Sequence, residues 1–129
     1  MNVVDSSAWL EYFADGPNAG FFAPAIETVD ILLVPTISIY EVFKRVTQQR
    51  SEAMALQAIA QMQLGVVIEL TTSLAMAAAR LSSTHRLPMA DSIIFATARA
   101  NNAVVWTQDA DFEGLPNVQY TPKGGPASG

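Results

Sequence analysis

Short runs of unbroken apolar residues alternate along this chain with longer stretches in which apolar positions recur every three or four residues. The short runs are Val3–Val4, ILLV at Ile31 to Val34, VVIEL at Val66 to Leu70, AVVW at Ala103 to Trp106 and VQY at Val118 to Tyr120. Runs of this length without polar alternation predict strands buried on both faces. The helical period appears in SAWLEYF behind Asp5, in the stretch from the DGPN turn at Asp15–Asn18 to about Thr28, and in ISIYEVFKRVTQQR at Ile37 to Arg50. It returns in SEAMALQAIAQMQL after a Ser51 cap, in TTSLAMAAARLSSTHR from near Thr72, and in the segment that starts at Pro88. Gly65 closes the fourth of these stretches.

Strands that alternate with helices indicate an α/β protein with a parallel sheet covered on both faces. Neither a repeat nor an internal domain boundary interrupts the pattern, so residues 1–122 read as one domain. KGGPASG, residues 123–129, has the composition of a flexible end.

The chain is 129 residues long and half hydrophobic, enough to bury roughly two-thirds of its unfolded surface without a covalent staple. It has no cysteine. Disulfides, zinc–thiolate sites and cysteine nucleophiles are therefore excluded, and a cytoplasmic location is expected. MNVVD enters a strand at once, without the pattern of a signal peptide, and no stretch approaches the eighteen or so apolar residues of a membrane span. Seven basic residues against twelve acidic ones give a net charge of -5, which argues against nucleic acid gripped over the whole surface but leaves local basic patches open. The single histidine, His85, suits a loop or helix end, and no serine sits in a G-x-S-x-G elbow.

One acidic residue is out of keeping with its surroundings. In LPMADSIIFATA, a helix from Pro88 puts Asp91 on the same face as Ile94, Phe95 and Ala98. A carboxylate in a first turn gains only about 0.3 to 1 kcal/mol from the helix terminus. Burial without a partner would cost several times that.

If each strand is joined to the next by a right-handed crossover, the carboxyl ends of the strands and the amino ends of the helices share one edge of the sheet. Asp5 ends the first strand, and Asp109 follows the fourth by two residues in WTQDADF. Glu41 lies in the second turn of the helix after the second strand, and Asp91 in the first turn of its own. All four belong to that edge. Each also has a local reading: Asp5 as a helix cap, Asp109 as the start of an Asx-turn, Glu41 as an ion-pair partner of Lys44 or Arg45. Clustered carboxylates persist where a proton or a cation is shared among them. An all-oxygen site suits a hard ion, magnesium or manganese, and the chemistry of a metal-dependent phosphodiester hydrolase.

DSSAWLEYF at Asp5 to Phe13, VPTISIYEVFKRV at Val34 to Val46, LPMADSIIFATA at Leu87 to Ala98 and VVWTQDADF at Val104 to Phe112 resemble, in order and spacing, the four motifs of the PIN domain family. The length and the DSS opening look most like the VapC-type ribonuclease toxins of bacterial toxin–antitoxin systems. The resemblance implies a three-layer α/β/α sandwich with a mostly parallel sheet of about five strands. It also implies a metal-dependent endoribonuclease whose catalytic and metal-binding acids are Asp5, Glu41, Asp91 and Asp109, with Mg2+ or Mn2+ as cofactor. Thr107 matches the hydroxyl residue before the last acid and would orient ligands or a water, unless it only ends the strand. Ser6 follows the first acid and equally suits a helix cap, as does Ser7. Asp109 is preferred to Asp111 as the fourth acid, and Asp111 is expected to cap the loop with Phe112 packed inward.

Candidate RNA contacts are Lys44, Arg45, Arg50, Arg80 and Arg86. Trp9 and Tyr40 are expected in the core or a dimer contact rather than as base-stacking platforms. The implied partners are an RNA substrate, a cognate antitoxin protein and a second copy of the chain, without a membrane. Two other readings remain at this point. A receiver-like phosphoacceptor module would need a phosphorylated acid after strand three, where only Glu69 is found; an inactive PIN-like binding module would need a broken set of acids.

Overall fold

The computed structural model describes residues 1–125; the rest of the tail expected to be flexible, 126–129, lies outside the described residues. Five parallel strands form one sheet: β1 (Asn2–Val4), β2 (Leu32–Pro35), β3 (Val66–Ile68), β4 (Val104–Thr107) and β5 (Val118–Tyr120). Among the described residues the helices are α1 (Ser6–Phe13), α2 (Ala19–Glu27), α3 (Thr36–Gln49), α4 (Glu52–Met62), α5 (Thr72–His85) and α6 (Met89–Ala100). No helix among the described residues is long and apolar enough to cross a membrane.

The strand order is β3-β2-β1-β4-β5. From β1 the chain builds outward through β2 to β3, then returns to the other side of β1 with β4 and ends at β5. Val3 lies opposite Leu33 on one side and Val105 on the other. The order therefore reverses between β1 and β4, which is where crevices open at the carboxyl edge of such sheets.

Alternate side chains of each strand feed opposite faces. Val4, Leu32 and Val34 pack with Ala8, Trp9, Phe22, Ile26, Val42 and Met62 from α1 to α4. Val3, Leu33 and Val105 pack with Ile94, Phe95 and Ala98 of α6 and with Phe112. On that second side α5 lies outside α6, where Ala78 meets Ile93 and Ala96. Covered by the sheet on one face and by α5 on the other, α6 is buried at each residue from Ser92 to Ala98. This explains a segment too apolar for a surface helix. Burying each large side chain of this core contributes about 1.5 to 3 kcal/mol.

Some boundaries differ from the sequence expectation. Ile31 ends a 3-10 turn, Val29–Ile31, and is exposed, so β2 starts one residue later. The third strand stops at Ile68 rather than Leu70, and Val66 and Val67 are exposed rather than buried. As the edge of the sheet, β3 pairs with β2 alone, a position that composition does not distinguish from the centre. His85 ends α5, its ring edge-on to Phe95, as expected for a helix-end residue.

Candidate active site

Asp5 leaves β1 with extended backbone and caps α1, its Oδ1 accepting from Ala8 N at 3.0 Å. The cap is thus Asp5 itself, not Ser6 or Ser7. Both serines are freed for other contacts. Ser7 Oγ donates to the Asp5 carboxylate at 2.8 and 3.0 Å, and Ser6 Oγ donates to Glu41 Oε1 at 2.6 Å. Glu41 stands in the second turn of α3, and Ser6 ties it to the start of α1. This contact takes the place of the surface ion pair with Lys44 or Arg45 as the one that orients the Glu41 carboxylate.

Thr107 ends β4 fully buried and links two of the acids. Its hydroxyl donates to Asp5 Oδ2 at 2.7 Å and accepts from Asp109 N at 2.8 Å. Asp109 in turn accepts from Asp111 N at 2.9 Å and caps the 3-10 turn Ala110–Phe112. The capping role expected of Asp111 falls to Asp109, because an Asx-turn forms with the residue two positions on. Phe112 packs inward as expected.

Asp5, Glu41, Asp91 and Asp109 all line one cleft of about 450 Å³ at the β1/β4 reversal, with Ser6, Ser7, Leu10, Tyr40, Lys44, Arg45 and Gln48. Asp111 is exposed and outside that lining, yet Asp91, Asp109 and Asp111 each offer a carboxylate oxygen within 4.8 Å of the others. Both candidates for the fourth acid therefore approach Asp91, and only Asp109 also faces the cleft.

The electrostatic cost of this arrangement is visible in two groups. Burial pushes the Asp5 carboxyl up to about 6, against the lowering effect of hydrogen bonds from Thr107, Ala8 and Ser7; the charge of Asp109 adds to the rise. Asp91 is pushed up to about 8, first by burial, then by the charge of Asp109, a hydrogen bond with Asp111, and the charges of Asp5 and Asp111. Two carboxyl groups can hydrogen-bond only when one holds a proton. Without a cation, then, these acids share protons.

Of the basic candidates, Lys44 and Arg45 line the cleft. Arg80 and Arg86, on and just after α5, are exposed outside its lining, and Arg50 borders a different groove between α1, α3 and α4. Trp9 is core, as expected. Tyr40 is not: it is 59 % exposed on the cleft rim, because its position on α3 faces away from Ser38 and Val42. Glu69, the acid that a phosphoacceptor module would need, is exposed beyond edge strand β3 and outside the cleft.

The sequence offers Ser7 only as a helix cap and Asn18 only as part of a turn, and gives no signal for Gln108. Asn18 is buried, and its Nδ2 donates to Gln108 Oε1 and to the Pro122 carbonyl, both at 2.9 Å. This braces the loop that carries Asp109 against the α1–α2 turn. Within DGPN, Asn18 carries only a turn signal, since its partners are about ninety or more residues away in the chain.

A doubly wound parallel sheet with carboxylates gathered at its reversal point defines the class of protein. The chain belongs to the PIN domain family, whose model matches residues 3–117. Among solved structures it is similar to a toxin–antitoxin complex from Klebsiella pneumoniae (21 % identity, TM-score 0.76, covering 92 % of this chain and 96 % of the other). Mycobacterium tuberculosis VapC20, described as a Sarcin-Ricin loop cleaving toxin, is similar at 17 % identity and TM-score 0.78, with 92 % and 97 % covered. FitAcB from Neisseria gonorrhoeae is similar at 18 % and 0.71, with 93 % and 96 % covered. No match was found among curated protein sequences.

Proposed function

We propose that this chain is a divalent-metal-dependent endoribonuclease and the toxin of a type II toxin–antitoxin pair. Its nuclease domain would span residues 1–122, with Asp5, Glu41, Asp91 and Asp109 as catalytic and metal-binding acids. The observation that carries the reading is that carboxylates from four distant segments line one cleft. Membership of the PIN family and likeness to proteins described as toxin–antitoxin complexes support it.

The residues fit a hard cation. The donors are all oxygen, and two of the carboxyls are held well above their ordinary range, a penalty that a divalent ion removes. Bound there, magnesium or manganese would supply Lewis acidity for attack of water on an RNA phosphodiester. The chain's own groups have separable tasks. Ser6 orients Glu41, Thr107 and Ser7 hold Asp5, and Lys44 and Arg45 draw the phosphate backbone toward an otherwise acidic cleft.

The similar structure described as a toxin–antitoxin complex favours a cognate antitoxin as partner. Exposed Leu56 of α4, Leu64 of the turn that follows it and Val66 of β3 are apolar side chains that a second copy of the chain would cover. A cysteine-free chain fits the cytoplasm.

The deciding experiment incubates purified protein with cellular RNA in magnesium, in chelator, and with Asp91→Asn in magnesium. Cleavage in the first arm alone is expected. Equal cleavage by a folded Asp91→Asn variant would overturn the assignment of the acids, and full cleavage in chelator would overturn the metal.

A further inference from the structure

Tyr40 sits mostly in water beside a charged cleft, one residue before Glu41. Lys44 and Gln48 follow it four and eight residues further along α3, so the three share one stripe of the helix, and all three line the cleft. Glu41 and Arg45 form the adjacent stripe. Because the amino end of α3 lies at the carboxyl edge of the sheet, the first stripe starts beside the acids and leads away from them for about 12 Å. Lys44 Nζ lies 5.8 Å from the centre of the Tyr40 ring, which keeps a cation next to the aromatic face.

A chain of net charge -5 with an acidic cleft floor cannot hold nucleic acid by general attraction. Stacking does not depend on charge, and an exposed ring flanked by a cation, an amide and a guanidinium is the composition of a single-strand platform. We infer that Tyr40 stacks on an unpaired nucleobase beside the linkage that is cut, with Lys44 and Arg45 on the neighbouring phosphates and Gln48 further along the strand. This rests on the nuclease reading above. The substrate must then be single-stranded at this point, since a base within a duplex has both faces covered by its neighbours.

The test uses a fluorescein-labelled, non-self-complementary RNA of about twelve nucleotides, alone or annealed to its complement. Binding is followed by anisotropy with Asp91→Asn protein, which stops cleavage. Adding Tyr40→Ala should weaken binding of the single strand about tenfold or more, the loss expected for one base–aromatic stack, while Tyr40→Phe should stay within about twofold. The duplex should bind weakly and without regard to residue 40. Melting temperatures should not change, because the ring is in water. Equal single-strand affinity for Tyr40→Ala and Tyr40, or a preference for the duplex, would overturn the platform. Cleavage by otherwise unmodified protein separates the two levels. Protein that neither binds nor cuts RNA overturns the nuclease reading and the platform together. Protein that cuts the single strand equally well with Tyr40→Ala overturns the platform alone, and leaves Tyr40 as a contact for a protein partner.

Discussion

Thr107 and Asp5 are joined by a buried hydrogen bond of 2.7 Å that crosses from β4 to β1 where the strand order reverses. The threonine proton is committed to Asp5 and a lone pair to the Asp109 amide, so one hydroxyl sets the spacing of two acids.

Thr107→Val keeps the shape and removes both bonds. The expected loss of stability is about 1 to 3 kcal/mol, since a half-buried amide and a buried carboxylate each lose a partner. Cleavage should fall roughly 10- to 100-fold, the usual effect of disturbing groups that orient metal ligands. Urea melts and initial rates check the two effects, and an unchanged rate in a destabilised variant would confine Thr107 to the fold.

A pH dependence follows from the raised carboxyls. Asp5 and Asp91 hold their protons to about 6 and about 8 when folded, against an ordinary value of 3.8 for an aspartate in water. The folded chain therefore binds more protons than the unfolded one between these values, and stability falls as pH rises from about 4 towards 8. In chelator, the urea midpoint of the parent should decline across this window, and that of Asp91→Asn should decline less. A flat parent profile would show that the acids ionise without hindrance.

Metal should reverse that penalty. Magnesium is expected to raise the melting temperature of the parent, by about 2.7 kcal/mol of stability at a hundredfold excess over its dissociation constant, and to raise Asp91→Asn less. In chelator at neutral pH the variant should melt above the parent, because the asparagine is neutral without the proton that the folded Asp91 must take up. Should Asp91→Asn prove less stable with and without magnesium, Asp91 would be a structural acid at the start of α6.

The two acids of QDADF can be separated by paired substitutions. Asp109 lines the cleft and caps the 3-10 turn, whereas Asp111 is exposed behind it. Asp109→Asn should reduce cleavage beyond the roughly 10- to 100-fold range of a supporting group, and Asp111→Asn should remain within it. The reverse ranking in steady-state rates would move the fourth carboxylate to Asp111.

Much of this was legible because the signals were local. Continuous apolar runs mark β1, β2, β4 and β5 to within a residue or so, and the misfit of Asp91 among apolar neighbours marks the cleft. What stayed hidden depends on distant parts of the chain. No residue of VVIEL declares that β3 will be an edge, and nothing in DGPN declares that Asn18 will brace Gln108. The sequence leaves Tyr40 between the core and a dimer contact, and only its angular position on α3, which follows from the packing of Ser38 and Val42, puts it outside the core. The strand order, which brings Asp5 beside Thr107, is set by packing on both faces of the sheet rather than by any one segment.

The position of β4 also governs when the molecule becomes complete. A chain growing from its amino end holds Asp5, Glu41 and Asp91 before Val104–Thr107 exists. Until then β1 has a partner on one side only, and the Asp5 carboxylate has no Thr107. Pairing across about a hundred residues is a slow, late event for a chain of this size. A domain read as a nuclease would thus be harmless until β4 pairs with β1, and would acquire its activity only when that side of the sheet closes.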